Sequence, residues 1–243
     1  MYKVVVTQTP HPGWKPGQKQ PLPFPEGTKM ASYRPADLTS CYSLCISAVV
    51  PRPIASVSSM NEAGQVNLAP YSYAGVVAHD PPTVIFSACR KPDGNRKDTL
   101  ANVEATGEFV LNFMSEWFVE SANHCCGNFP ADVNEMEESG LTPVASEVVR
   151  PPRVQESALQ MECKLVHTQE IRNAKGDVTA TVVFGEVQMF HIHESIHSLN
   201  EGRIVVDLEK YKPISRLGGN TYGALSPPAL QHMLETGGDG SSA

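Results

Sequence analysis

The feature of this chain that most constrains its fold is a long hairpin pattern between residues 161 and 193. Apolar and charged residues alternate from Met161 to Leu165, which is the period of a strand with one buried face. The turn-forming run Asn173–Asp177 follows, and a second long strand is predicted from Val178 to about His193. Two long strands joined by a short turn indicate an antiparallel sheet.

Other segments extend this pattern. Short apolar or β-branched runs predict strands at 54–58, 83–88 and 109–113. Helices are fewer, and cap signals predict them at 98–107 (Asp98 as the cap), 115–127 (Ser115 as the cap), 135–139 (ended by Gly140) and from Ser226 through Leu234. Strands outnumber helices and do not alternate with them. This arrangement predicts a mainly β protein, an antiparallel barrel with added helices, and argues against a doubly wound sheet.

The domain organisation follows from where proline and glycine cluster. The 243 residues fit one domain with extensions. Residues 1–32 form a proline-rich arm, because proline fixes φ and lacks the N–H that a ladder needs. Its apolar side chains at Trp14 and Phe24 favour an arm docked on a surface. Residues 33–225 are the predicted domain, and 226–243 are a C-terminal helix followed by a disordered tail.

Charge and cysteine usage narrow the function classes. The net charge of -7 and the absence of a long apolar run predict that the protein binds neither nucleic acid nor a membrane. Six cysteines show no paired CxxC spacing, and no signal peptide precedes them, so we expect free thiols in the cytoplasm.

Two polar clusters suggest an anion site. Ser58 and Ser59 follow a predicted strand, and Arg96–Thr99 lies where a helix should begin. The first N–H groups of a helix are unpaired and the helix dipole favours an anion, so this cluster suits a phosphate. A solvated turn with an ordinary Asp98 cap explains the spacing equally well. Between the clusters, Asn67–Tyr73 is a segment whose backbone, held out by Pro70, can face a planar heterocycle.

Taken in order, these pieces resemble the flavin reductase-like, FMN-binding split-barrel family. The motifs are Pro-Arg-Pro-Ile-Ala at 51–55, Val-Ser-Ser at 57–59, Asn-Leu-Ala-Pro-Tyr-Ser-Tyr at 67–73, Asp-Pro-Pro at 80–82, Lys-Asp-Thr at 97–99, Gly-Glu-Phe-Val at 107–110 and Arg-Leu-Gly-Gly at 216–219, followed by Tyr222. Each motif is unspecific alone, but the ordered set is specific. The resemblance spans residues 33–225 and implies a six-stranded Greek-key barrel that forms a homodimer and binds FMN near the subunit interface.

The resemblance also implies site residues. Residues 56–59 would line the flavin and its phosphate, 67 and 69–72 would meet the isoalloxazine ring, and 96–99 would hold the phosphate. Arg52 would be either a flavin contact or part of a structural ion pair. The implied cofactor-binding set is Arg52, Ser56, Val57, Ser58, Ser59, Asn67, Ala69, Pro70, Tyr71, Ser72, Arg96, Lys97, Asp98 and Thr99.

Two positions depart from the family pattern. Many relatives carry a large apolar residue where this chain has Ser56, and an aromatic residue where it has Ala74. With Tyr73, these positions form a predicted substrate pocket with room for an organic compound larger than nicotinamide. The alternative is that Tyr71, Tyr73 or Trp117 fills the space instead.

The remaining reactive residues have simpler interpretations. His191 and His193 would share one face of a strand, but no ligand set completes a metal site, and a surface or interface pair is the expected arrangement. Cys125 and Cys126 read as packed residues at a helix end. No nucleophile or general base is assigned, because a flavin itself carries the hydride chemistry.

Three function classes follow from the sequence. The first is an FMN-dependent oxidoreductase reduced by NADH or NADPH. It would act on a small organic substrate or oxygen, or supply reduced flavin to a partner monooxygenase. The second is a non-catalytic flavin electron carrier, and the third is an interaction scaffold, which the intact Ser59, Asn67 and Lys97–Thr99 positions disfavour. No GxGxxG fingerprint is present, so a pyridine nucleotide would bind only transiently against the flavin.

Overall fold

The computed structural model of the protein describes residues 11, 13–127, 129–130 and 133–224. Within that part the strands are β1 (Arg52–Pro53), β2 (Ala55–Met60), β3 (Val66–Tyr71), β4 (Ala74–His79), β5 (Pro82–Cys89), β6 (Glu108–Phe113), β7 (Pro143–Val144), β8 (Arg153–Val154), β9 (Leu159–Arg172), β10 (Val178–Ile192), β11 (His197–Asn200), β12 (Arg203–Val206), β13 (Ile214–Gly218) and β14 (Thr221–Ala224). The α-helices are α1 (Tyr42–Ala48), α2 (Asp98–Thr106), α3 (Val119–His124), α4 (Glu135–Glu138) and α5 (Leu208–Tyr211). Short 3₁₀ turns cover Pro35–Asp37, Glu116–Phe118 and Glu194–Ile196.

The main sheet is antiparallel and bends into a barrel. Its seven strands lie in the order β3-β2-β6-β9-β10-β5-β4, so β3 and β4 are opposite edges. Yet only Ser72 and Tyr73 separate these edges along the chain, and the carbonyl of Tyr73 accepts the Ser87 N–H of β5 at 2.8 Å. Two residues cannot span an open sheet, so its edges meet at this corner. The predicted antiparallel β-barrel is confirmed, with seven strands in the sheet where the resemblance implies six.

The long hairpin of β9 and β10 forms the centre of this sheet. β9 and β10 pair from Leu159–Ile192 to Arg172–Val178, and the Asn173 N–H donates to the Asp177 carbonyl across the turn. The three shorter predicted strands are present as β2, β5 and β6, each longer than expected by one or two residues. The sequence pattern did not reveal β4 or the short strands β11–β14.

The barrel is filled by aromatic rings. Phe86 of β5 packs edge-on against Phe109 of β6, with 5.4 Å between ring centroids, and Tyr71 lies 4.9 Å from Phe86. Gly185 of β10 leaves the space that this packing needs, since a Cβ there would lie 2.3 Å from Cζ of Phe109. This close approach explains a glycine in the middle of a long buried strand.

The predicted helices are largely correct, with two differences in detail. α2 ends at Gly107, whose φ of 72° is the left-handed conformation that glycine favours, but its N-cap is Lys97, so Asp98 is the first helical residue and not the cap. The 115–127 segment is divided into a 3₁₀ turn and α3, and Ser115 occupies the N-cap position without a side-chain bond. α4 is present and is followed by Gly140. The helix predicted from Ser226 lies outside the described residues.

A smaller sheet, in the order β1-β13-β14, lies against one end of the barrel. The Met114 N–H donates to the Ile54 carbonyl and the Ile214 N–H donates to the Met114 carbonyl, both at 3.0 Å, which joins the small sheet to β2 and β6. A second apolar cluster that includes Leu68, Phe118 and Met136 packs α3 and α4 beside this junction. These contacts fix two helices and three short strands around the corner where the barrel closes.

The large apolar side chains in the described part of the arm are exposed. Trp14, Phe24 and Tyr33 are all exposed, Phe24 to 65%, so these side chains do not dock on the chain's own barrel. Among the described residues, no helix has the length and apolar character needed to cross a bilayer.

Candidate functional site

Two adjoining cavities lie at the closed corner of the barrel. The tyrosine cavity, of about 290 Å³, is walled by the rings of Tyr42, Tyr71, Tyr73 and Tyr222. The helix cavity, of about 330 Å³, lies beside the first turn of α2 and the end of α3. Pro70, Lys97 and Cys126 line both cavities, so the two form one continuous cleft.

The floor of this cleft is the end of β3 and the connection to β4. Ala69 and Pro70 line the helix cavity, and Pro70–Tyr73 line the tyrosine cavity. β3 is an edge strand, and proline is tolerated there because no further strand needs its missing N–H. Most residues of the predicted segment 67–73 therefore line the cleft, although the segment is a strand for most of its length and not the loop that its composition indicates.

The first turn of α2 points at the helix cavity. Its N-cap, Lys97, makes no side-chain cap bond, which leaves the first N–H groups of the helix without a cap from this residue. The Lys97 ammonium lies 5.8 Å from the Tyr71 ring centroid, at the wall shared by both cavities. The Asp98 carboxylate is paired with Lys91 Nζ at 3.0 Å and is thereby partly neutralised. This helix end can accept an anion.

A buried polar network fixes the opposite wall. The Asn67 amide lies 2.8 Å from Thr99 Oγ1. In the amide orientation that satisfies both its atoms, Oδ1 accepts from the Thr99 hydroxyl and the Leu68 N–H, while Nδ2 donates to Glu135 Oε1 at 3.3 Å. Glu135 Oε2 accepts the Leu68 N–H at 3.0 Å, which ties α4 to β3. Burial raises the pKa of Glu135, so this carboxyl holds its proton to a higher pH than a free glutamate does.

The small sheet supplies the far wall of the tyrosine cavity. Arg52 Nη1 donates to the carbonyls of Ile46 and Val49, at 2.7 and 2.5 Å, and so caps the end of α1. Arg52 was expected to be either a flavin contact or part of a structural ion pair. Within the described residues it forms no ion pair. Its side chain instead caps a helix and lines the cavity. The Arg216 guanidinium lies over the Tyr222 ring, with Cζ 4.6 Å from the centroid.

The structure brings most of the predicted site residues together at this cleft. Those that line one or both cavities are Arg52, Asn67, Ala69, Pro70, Tyr71, Ser72, Tyr73, Lys97, Asp98 and Thr99. Those that line neither cavity are Ser56, Val57, Ser58, Ser59, Ala74 and Arg96. A flavin-binding role for either group stays a prediction.

The second group is held elsewhere by its own contacts. The Val57 side chain is in the barrel core, and Ala74 packs against that core. The Ser58 hydroxyl donates to the Pro152 carbonyl, and Asn102 Nδ2 donates to the Ser59 hydroxyl at 3.2 Å. Arg96 lies 3.3 Å from Glu104 and faces a separate surface depression.

The lining also contains residues outside the predicted set, among them Arg216, Tyr222, Glu135 and Cys126. Arg216 and Tyr222 belong to a motif that the sequence already shows, and their place opposite Arg52 required knowing that β13 pairs with β1. Glu135 begins a helix that the sequence predicts, but nothing in the sequence indicates that its carboxylate turns inward. Cys126 lines both cavities, whereas Cys125 is buried as expected.

The histidine pair is separate from this cleft. His191 Nε2 lies 2.7 Å from Oε1 of the buried Glu162, so this side chain is bound to the barrel and not free on the surface. An interface role for the pair stays a prediction. His193 instead accepts the Ser195 N–H and begins a 3₁₀ turn. In the described ranges, no group of three or more histidine, cysteine or acidic side chains is arranged to hold a metal.

Comparison with known proteins places this geometry among flavin-related folds. Residues 47–206 match the model of the flavin reductase like domain family. Nitrilotriacetate monooxygenase component B from Bacillus cereus is 36% identical with a TM-score of 0.78, over 85% of this chain and all of that one. The 2-nitrobenzoate 2-nitroreductase of Pseudomonas fluorescens is 27% identical with a TM-score of 0.74, over 87% of this chain and all of that one. A split-barrel structure from Shewanella frigidimarina, 21% identical with a TM-score of 0.68 over 79% and 90% of the two chains, shares the fold.

Proposed function

The chain belongs to the flavin reductase like domain family, and from that premise we propose that it is an FMN-dependent oxidoreductase reduced by NADH or NADPH. The predicted split-barrel fold agrees with this membership. The observation that carries the proposal is that the start of a helix and the end of an edge strand meet in one cleft. The first turn of α2 and the end of β3 share the wall at Lys97 and Pro70.

The donor set in the cleft fits a flavin phosphate. The first N–H groups of α2 and the Lys97 ammonium are groups that bind phosphate oxygens. The Thr99 hydroxyl already donates to Asn67 Oδ1. The acidic residues nearby oppose an anion less than their number implies. The Asp98 carboxylate is paired with Lys91 Nζ, which compensates one of these charges.

Each part of the cleft then has a task. Lys97–Thr99 would bind the phosphate, while Ala69 and Pro70 would support the edge of the ring system, with Pro70 at the wall shared by the two cavities. A bound flavin supplies the hydride and electron transfer, and the protein contributes position, charge and exclusion of water. Asn67, held between Thr99 and Glu135, would orient the segment that meets the ring.

Two versions of this activity have support from similar proteins. In the first, the flavin acts directly on a small organic compound, in line with the name of the Pseudomonas fluorescens protein, a 2-nitrobenzoate 2-nitroreductase. In the second, reduced flavin passes to a partner monooxygenase, in line with the name of the Bacillus cereus component B, which has the higher identity. The homodimer, the choice of FMN, the cytoplasmic location and the domain limits at 33 and 225 stay predictions.

The test is the absorbance spectrum of the purified protein with FMN, recorded without air before and after NADH or NADPH is added. A bound flavin that bleaches supports the oxidoreductase and identifies its reductant. Bound flavin that stays oxidised favours a carrier, or an enzyme reduced by its own substrate. Failure to bind FMN contradicts the proposal.

A further inference from the structure

Two arginines face each other across the small sheet. In the antiparallel pairing of β1 with β13, Arg52 is the direct partner of Arg216, and Arg216 in turn is the partner of Tyr222 on β14. Directly opposed residues lie on the same face of a sheet, and all three side chains line the tyrosine cavity. Like charges in this position are unfavourable unless something between them compensates.

No carboxylate compensates these arginines in the described part of the chain. Arg52, Arg216 and Lys97, the cations that line the tyrosine cavity, each lack an acidic group within 4.0 Å among the described residues. The lining of this cavity contains no aspartate or glutamate, in a chain whose net charge is -7. The helix cavity differs, because Lys91, Asp93, Asp98 and Glu135 all line it.

The neutral bonds of the arginines leave capacity for an anion. Arg52 uses Nη1 for the carbonyls at the end of α1, and its buried Nε has no partner. Arg216 donates from Nη2 to the Gly219 carbonyl. These are bonds to neutral acceptors, so the two positive charges face the cavity without neutralisation. A carboxylate between two guanidinium groups accepts charge-assisted hydrogen bonds, which are stronger than neutral ones.

The size and walls of the cavity define the rest of the ligand. About 290 Å³ suits a small molecule and not a dinucleotide. The tyrosine rings offer flat apolar faces, and Tyr73, exposed to 38%, lies beside Arg52 with 5.9 Å between Cζ and the ring centroid.

We propose that the tyrosine cavity binds the organic substrate, that this substrate is a planar compound bearing a carboxylate, and that Arg216 is the residue that selects for the carboxylate. The inference rests on the proposed flavin site next to it, because a substrate in this cavity lies against the wall shared with the helix cavity. Arg52 caps the end of α1, so replacing it would also disturb the fold. Arg216 is therefore the better residue to change.

The test compares two probes of one shape, benzoate and the uncharged benzamide. FMN affinity is measured first, by quenching of flavin fluorescence, for the wild-type protein and for Arg216→Gln, Arg216→Lys and the exposed control Arg203→Gln. Each FMN-loaded protein is then titrated with both probes while the flavin absorbance is followed. Calorimetry with flavin-free protein repeats the comparison independently of the cofactor.

We expect the wild-type protein to bind benzoate about tenfold or more tightly than benzamide, the scale of a lost charged hydrogen bond. Arg216→Gln should bring this ratio to about one while FMN affinity stays within about twofold. Arg216→Lys should keep most of the preference, and Arg203→Gln should keep all of it.

Several results would overturn the inference. One is equal or undetectable binding of both probes by the wild-type protein, and another is a benzoate preference that survives Arg216→Gln. If Arg216→Gln weakens FMN as much as benzoate, the guanidinium serves the flavin instead. If the protein fails to bind FMN but calorimetry still shows the benzoate preference, the proposed function is contradicted while this inference stands.

Discussion

The carboxylate of Glu162 on β9 lies 2.7 Å from Nε2 of His191 on β10, and its side chain is fully buried. The same carboxylate accepts the N–H groups of Glu147, Val148 and Val149, between 2.6 and 3.1 Å. Burial alone would raise the pKa of Glu162, but these N–H groups and the His191 ring together outweigh it, and the pKa is lowered. One charged side chain therefore ties the loop before β8 to the central hairpin.

Replacing this carboxylate should destabilise the fold. In Glu162→Gln the amide oxygen can accept fewer of the four bonds, and its NH₂ group faces backbone donors. We expect the free energy of unfolding at pH 7 to fall by about 1.5–3 kcal/mol, measured by urea denaturation. The control is Glu170→Gln, at the exposed end of the same strand, which should change it by less than about 1 kcal/mol. Equal small effects would mean that Glu162 is not an anchor.

The same group predicts a response to acid. Because the pKa of Glu162 is lower in the folded state, its contribution is complete above the unfolded value of about 4.3 and is lost as pH falls through the folded value. The difference in unfolding free energy between wild type and Glu162→Gln should therefore shrink below pH 4. Denaturation curves from pH 7 to pH 3 measure it, and a constant difference would contradict the assignment.

Glu135 should show the opposite sign. Its pKa is raised by burial, so the unfolded chain ionises first as pH increases, and stability declines from about pH 4.3 upward until the folded group has also ionised. Glu135→Gln removes this decline, and the variant should gain stability relative to wild type as pH rises through this window. Thermal melts across pH 4–8 provide the measurement. If Glu135→Gln instead becomes less stable than wild type as pH rises, the fold stabilises the ionised form of Glu135.

Lys97 should be the main charge that holds FMN. Lys97→Ala should weaken FMN affinity by about 1.5–3 kcal/mol, the scale of a charged hydrogen bond, in a fluorescence titration. Lys164→Ala, on the exposed face of β9, is the matched control and should leave the affinity unchanged. Arg96→Ala belongs in the same series, because Arg96 faces Glu104 outside both cavities and should have a smaller effect than Lys97. An unchanged flavin dissociation constant in Lys97→Ala would remove this residue from the site.

Two buried serines on one face of β2 should respond in opposite directions. The Ser56 hydroxyl has no hydrogen-bond partner among the described residues, so Ser56→Ala should be neutral or stabilise the flavin-free protein by up to about 1 kcal/mol. The Ser58 hydroxyl donates to the Pro152 carbonyl and accepts from Asn112, so Ser58→Ala should cost about 1–3 kcal/mol. Urea denaturation of both flavin-free variants compares them directly. A loss of FMN affinity in Ser56→Ala alone would indicate that this hydroxyl serves the cofactor.

Much of the fold could be predicted because its signals are local. The β9–β10 hairpin follows from alternation around a turn, and the end of α2 follows from one glycine with positive φ. β4 could not be found this way, since it has no alternation of buried and exposed residues and its valines at 76 and 77 are both exposed. The role of Asp98 could not be predicted either, because its carboxylate pairs with Lys91 and does not cap the helix.

The site was harder to predict where it depends on pairing between distant strands. Lys97–Thr99 and Pro70–Ser72 lie in the cleft as expected because each stands at the end of a local element. Arg216 could be placed only through the pairing of β13 with β1, more than 160 residues apart. Ser58 illustrates the reverse problem, since a hydroxyl next to a turn suggests a ligand until Pro152 is known to cover it.

The two-residue connection at Ser72 and Tyr73 closes the barrel and also forms the floor of the tyrosine cavity. This segment therefore has two roles, and insertions or deletions there would change ligand contacts and barrel closure together. The opposite wall, formed by β13 and β14, is free of this coupling because it belongs to a separate sheet. Substitutions in β13 and β14 can therefore change substrate preference, in evolution or in directed selection, without altering barrel closure.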